Sequence, residues 1–121
     1  MLSISVDPIG GDRVICRLAG ELELSVVAQF RQALADVPSP SRVLIDLSAV
    51  SFVDSAGLGA LIGGIRRTRD RGGNAALACH RPGLSRLLRT IGLDRLVTIS
   101  DDIEHAIGAL NETTMSLPRA V

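Results

Sequence analysis

The stretch Val43-Leu44-Ile45-Asp46-Leu47-Ser48-Ala49-Val50-Ser51-Phe52-Val53-Asp54-Ser55-Ala56-Gly57-Leu58-Gly59 decides the fold. Its first five residues form a short, nearly continuous apolar run, the pattern of a central strand covered on both faces. Residues 48–54 carry Val50, Phe52 and Val53 and are expected as a loop packed against the domain. A helix follows from Ser55 to about Arg71, with Leu58, Leu61, Ile62 and Ile65 on one face, and Gly72-Gly73 stops it.

Upstream, Leu2, Ile4 and Val6 alternate with Ser3, Ser5 and Asp7, the period-2 signature of a half-buried strand. Pro8, Gly10 and Gly11 supply a turn, and a second strand over about 13–19 completes a hairpin. Ser25 is placed to cap a helix whose apolar face is Val26, Val27, Phe30, Ala33, Leu34 and Val37, ended by Pro38 and Pro40. Downstream, residues 74–79 read as an Ala-rich strand. Pro82 opens a third helix with Leu84, Leu87, Leu88 and Ile91 at helical spacing, closed by Gly92. Residues 96–99 form a last short strand. Asp101 and Glu104 are expected to cap a final helix carrying Ile103, Ala106, Ile107 and Leu110. The order β-β-α-β-α-β-α-β-α predicts a single α/β domain over residues 1–110, with a mixed sheet of about five strands and about four helices. Residues 111–121 are expected as a flexible C-terminal tail.

The 121 residues suffice for one domain. Hydrophobic residues make up 46% but aromatics only 2%, so the core is aliphatic, with Phe30 and Phe52 expected as its large rings. Thirteen basic residues balance thirteen acidic ones. With neither a basic excess nor aromatic platforms, direct nucleic-acid binding is not expected. Every basic residue is Arg, which removes Schiff-base chemistry and a Walker-type lysine. Cys16 and Cys79 are too few for a disulfide scaffold, and each sits in an apolar run that suggests a buried thiol. The first residues lack the charged and apolar regions of a secretory signal, and the uncharged stretch 55–65 is about half a spanning length. A cytoplasmic protein without membrane insertion is expected.

Chemistry concentrates at the start of the central helix. Ser55 is expected at its N-cap, with its hydroxyl accepting from the Gly57 or Leu58 N–H, where the positive end of the helix can hold an anion. A plain cap is the simpler reading. Gly57, Gly59, Gly63 and Gly64 each cost a helix about 1 kcal/mol against Ala. Close packing accounts for Gly63 and Gly64, whereas Gly57 and Gly59 suggest access to the helix end. The glycines miss the Gly-x-Gly-x-x-Gly spacing by one position and lie inside the helix, against a dinucleotide loop. Arg66, Arg67, Arg69 and Arg71 suit a solvated helix C-terminus. His80 and His105 are not spaced for a metal with either Cys, and no metal or other cofactor is expected. Asp46 interrupts a buried strand and needs a partner, either in the following loop or at the site. Ser55 has no readable general base, so no catalytic residue is assigned and an enzyme is not expected.

The run Val43-Leu44-Ile45-Asp46-Leu47-Ser48 followed by Val50-Ser51-Phe52-Val53-Asp54-Ser55-Ala56-Gly57-Leu58 resembles the signature of the STAS domain, and in particular the bacterial anti-sigma factor antagonists. Gly20-Glu21-Leu22-Glu23 and Gly92-Leu93-Asp94-Arg95-Leu96 are also similar to that family, so the likeness extends from about Ser3 to Leu110. The resemblance implies a partner switch. In that family the matching serine is phosphorylated by an anti-sigma factor that is itself a serine kinase. The bare form binds this partner and frees a sigma factor, and a serine phosphatase resets the system. Carried over, Ser55 is the phosphoacceptor, and Glu21, Glu23, Asp54, Ser55, Ala56, Gly57 and Leu58 form the partner-binding surface. Glu23 stands where the family usually has Asp, one methylene shorter. Two other roles compete: a stand-alone STAS subunit of a membrane lipid-transporter assembly, and an enzyme or nucleotide-binding protein using the Gly-rich helix start.

Overall fold

The computed structural model describes residues 1–112. Its spine is β3 (Arg42–Val53), in which residues 43–47 are all buried. This strand is longer than the apolar run alone indicates. The expected loop at 48–54 is instead a continuation of β3 alongside β2 (Arg13–Leu22), which itself outruns its expected end. Two register shifts make this possible. Between the Arg17–Asp46 and Ala19–Ala49 pairs, and again between Gly20–Val50 and Glu21–Phe52, β3 holds one residue more than β2. Such bulges break the two-residue alternation and bend the strand, which is why the segment reads as irregular. The Asp46 carboxylate, itself buried, accepts the Ser48 N–H at 3.0 Å and so satisfies an amide within the first bulge. This is the local structural role weighed for it above.

β1 (Leu2–Gly10) runs antiparallel to β2, as the hairpin reading predicts, with the turn at Gly11-Asp12. Pro8 lies inside β1, which is an edge strand and therefore tolerates the missing N–H. A single 3-10 turn (Leu24–Val26) then leads into α1 (Val27–Ala35), with Glu23, not Ser25, capping that turn. α2 (Ser55–Asp70), β4 (Asn74–Ala78), α3 (Pro82–Thr90), a second 3-10 turn (Leu93–Arg95), β5 (Thr98–Ser100) and α4 (Ile103–Glu112) follow. The strand order is β1-β2-β3-β4-β5, with β2 to β5 parallel, so the sheet is mixed and five-stranded as expected. α4 is capped by Asp102, whose carboxylate accepts the His105 N–H at 2.8 Å, one residue later than the Asp101 cap expected. α4 also continues through Glu112, past the expected boundary at 110; the rest of the expected tail, 113–121, lies outside the described residues.

The helices divide between the two faces. Phe30 and Leu34 of α1, Leu61 and Ile65 of α2, and Leu88 of α3 pack with Cys16, Leu18, Ile45 and Leu47 on one face. Ala106 and Leu110 of α4 pack with Ile15, Leu44, Ala76 and Ala78 on the other. Full burial of each large aliphatic or aromatic side chain contributes about 1.5–3 kcal/mol, and this seats the helices on the sheet. Both cysteines are free and buried, and desolvation pushes the Cys16 thiol up to about 11. One core expectation fails. Phe30 is fully buried, but Phe52 is 53% exposed, because it lies in the bulged part of β3 beyond the end of β4. Leu87 and Ile91, expected on the buried stripe of α3, are 40% and 45% exposed.

Candidate functional site

β2, β3 and α2 converge where β3 ends. The N-cap of α2 is Asp54 rather than Ser55: its backbone is extended and its Oδ1 accepts the Gly57 N–H at 2.7 Å. Asp and Ser cap about equally well, so sequence preference alone does not separate adjacent candidates. Ser55 is left free of the cap. As the first helical residue it is exposed, and its hydroxyl has no hydrogen bond among the described residues. The N–H groups of Ser55 and Ala56 head the helix, where donors go unpaired within it and the positive end of the dipole favours a bound anion.

Asp54 also joins two segments. Its Oδ2 accepts the Leu24 N–H at 3.1 Å, and its own N–H donates to the Leu22 carbonyl at 3.3 Å. Glu23 accepts the Ser25 N–H at 3.0 Å and the Ser25 hydroxyl. Those two bonds, the hydroxyl first, hold the Glu23 carboxyl below its usual value, while the Asp54 charge pushes the other way. Glu21 is exposed, opposite Phe52 in the strand register, and pairs with the N-terminal amine at 3.3 Å. The structure thus brings Glu21, Glu23, Asp54, Ser55, Ala56, Gly57 and Leu58 to one end of the sheet. Ala56 and Leu58 are half-buried and pack against the main core, and Gly57 is buried, so these three support the surface more than they present it.

Gly57 has a different reason from the one its spacing suggested. A Cβ there would stand 2.1 Å from the Leu22 carbonyl oxygen, so glycine lets α2 sit directly on the end of β2. Gly59 alone of the pair fits the access reading: nothing lies within 4 Å of its Cβ position. Sequence reasoning missed Leu24, which is 70% exposed beside Asp54, and the exposed Phe52. Neither exposure has a sequence signal, since both residues are apolar. Among the described residues, no group of three or more His, Cys, Asp or Glu is arranged to hold a metal ion. No helix among them is long and apolar enough to cross a membrane.

This sheet, with a solitary serine presented at a helix start, has known counterparts. The family model described as "Mlab, STAS domain" matches residues 7–98, and the chain belongs to that family. Among curated proteins, it is 28% identical to the anti-sigma F factor antagonist of Paenibacillus polymyxa over 100 residues, 80% of this chain and 86% of that one. It is 29% identical to the anti-sigma-B factor antagonist of Bacillus subtilis over 108 residues, 88% of this chain and 99% of that one. The crystal structure of an anti-sigma factor antagonist from Mycobacterium paratuberculosis superposes with a TM-score of 0.81 at 22% identity, covering 93% of this chain and 96% of that one, which supports the fold.

Proposed function

We propose that this chain is an anti-sigma factor antagonist of the cytoplasm that works by binding and not by catalysis. Bare Ser55 marks the surface that grips an anti-sigma factor, which is also a serine kinase, and releases the sigma factor. Phosphorylation of Ser55 ends the grip, and a serine phosphatase restores it. The observation that carries this reading is the exposed Ser55 hydroxyl, relieved of capping by Asp54 and set at the head of α2. The antagonist names of the curated relatives support it over a transporter-subunit role.

The physics of the switch is local. A phosphoserine adds nearly two negative charges next to Asp54, with Glu23 close by. A partner pressed on that helix end would meet added bulk and a charge that is costly to desolvate. Like-charge juxtaposition across an interface costs several kcal/mol, and about 3 kcal/mol already weakens binding more than a hundredfold. The unpaired N–H groups at the helix head hold the phosphate without moving the fold. Incubation with ATP and the host's anti-sigma factor kinase should add one phosphate to the wild type and none to Ser55→Ala, read by intact mass. Modification at another residue, or undiminished binding by the phosphorylated protein, would refute the switch.

A further inference from the structure

β4 stops at Ala78, opposite Asp46, so residues 47–53 of β3 have β2 on one side and no strand on the other. A groove of about 450 Å³ lies on that open side, between β3 and the start of α3. Val50, Phe52, Leu84 and Leu87 supply its apolar lining, and Phe52 and Leu87 are the two that stay substantially exposed. Its one charged lining residue is Arg81, whose guanidinium donates to the Val50 carbonyl at 2.8 Å. Arg86 and Arg89 stand further along α3, where Asp101 and Asp102 line a neighbouring pocket with them, so the charge within the groove itself is that of Arg81. None of these three arginines forms a salt bridge among the described residues. In a chain whose charges balance overall, the groove lining itself carries one positive charge and no carboxylate.

We infer that this groove receives an extended segment of the anti-sigma factor that carries apolar side chains and at least one carboxylate. The inference rests on the function proposed above and names the chemistry of its partner. An open strand edge takes an added strand through main-chain hydrogen bonds, and pockets beside it select side chains. Arg81 complements a carboxylate on that segment. Val53 leads straight into Asp54 and Ser55, so a segment lying here adjoins the phosphoacceptor. A phosphate on Ser55 then repels the same carboxylate that Arg81 attracts, which gives the switch its sign.

The test measures affinity of the intact protein for the purified host anti-sigma factor kinase, with circular dichroism confirming each variant's fold. Leu87→Glu should weaken binding at least tenfold and Phe52→Ala about tenfold. Arg81→Gln should weaken it severalfold and flatten its salt dependence, while Arg17→Glu, on the other face of the sheet, leaves it unchanged. A wild type that binds while Leu87→Glu and Phe52→Ala bind equally well overturns the groove and leaves the Ser55 switch standing. A wild type that binds no anti-sigma factor of its host removes both. Capture of the wild type by anionic lipid vesicles, lost in Leu87→Glu without change in kinase binding, assigns the face to a membrane and overturns the inference.

Discussion

The two halves of β3 differ in pairing, register and burial. Residues 42–46 pair in unbroken register with β2 and β4, and residues 43–46 are buried under helices from both faces. Residues 47–53 pair on one side only, bulge twice, and expose Phe52. One continuous strand therefore serves as foundation at one end and as display at the other. The change falls at Asp46, where β4 stops and the first bulge begins. Regular pairing gives stability, and relinquishing it gives the backbone somewhere to present a helix start and an aromatic ring.

The largest expected effect tests that contrast directly. Leu44→Ala, in the foundation, should cost about 2–5 kcal/mol in urea unfolding, whereas Phe52→Ala should cost no more than about 1 kcal/mol. Equal losses would erase the distinction. Next come the two glycines of α2. Gly57→Ala must push the helix off the Leu22 carbonyl and should destabilise by about 1–3 kcal/mol, while Gly59→Ala meets open space and should stabilise by about 0.5–1 kcal/mol. The cap assignment is sharpened by a third pair. Asp54→Ala should lower stability by about 1–2 kcal/mol and speed exchange of the Leu24 amide, and Ser55→Ala should stay within about 0.5 kcal/mol. A larger loss at Ser55 than at Asp54 would return the cap to the serine.

The smallest effect concerns pH. The Glu23 carboxyl is depressed in the folded chain by Ser25, so its contribution is present above the ordinary carboxylate value of 4.5 and disappears as pH falls through the lower folded value. Acidification through that lower value should therefore loosen the Leu24–Val26 turn, visible as a shift of the Ser25 amide resonance that Glu23→Gln abolishes.

Much of this architecture was legible in the sequence. The alternation of residues 2–6, the apolar run 43–47 and the helical spacing from Leu58 to Ile65 gave the element order and the mixed sheet, because each is a local pattern with a fixed period. The gathering of Glu21, Glu23 and Asp54 around Ser55 followed from the family resemblance. What escaped was non-local or degenerate. The bulges in β3 depend on what β2 offers opposite Ser48 and Ser51, and the exposure of Phe52 depends on where β4 ends. Nothing in the immediate neighbourhood of either residue records those facts. The caps at Asp54 and Asp102 were each placed one residue away, since adjacent polar residues satisfy the same preference. Gly57 was rightly singled out but for the wrong contact, as the Leu22 carbonyl lies far away in the chain.

The seating of Gly57 on that carbonyl carries a consequence for the kinase proposed to act on Ser55. Backbone rests on backbone there, so the target hydroxyl belongs to a rigid surface and not to a pliable segment that could be drawn out into a cleft. Such an enzyme has to shape itself around a finished domain. A short synthetic peptide copying residues 50–59 would then make a poor substrate, however faithful its letters, because the address being read is three-dimensional.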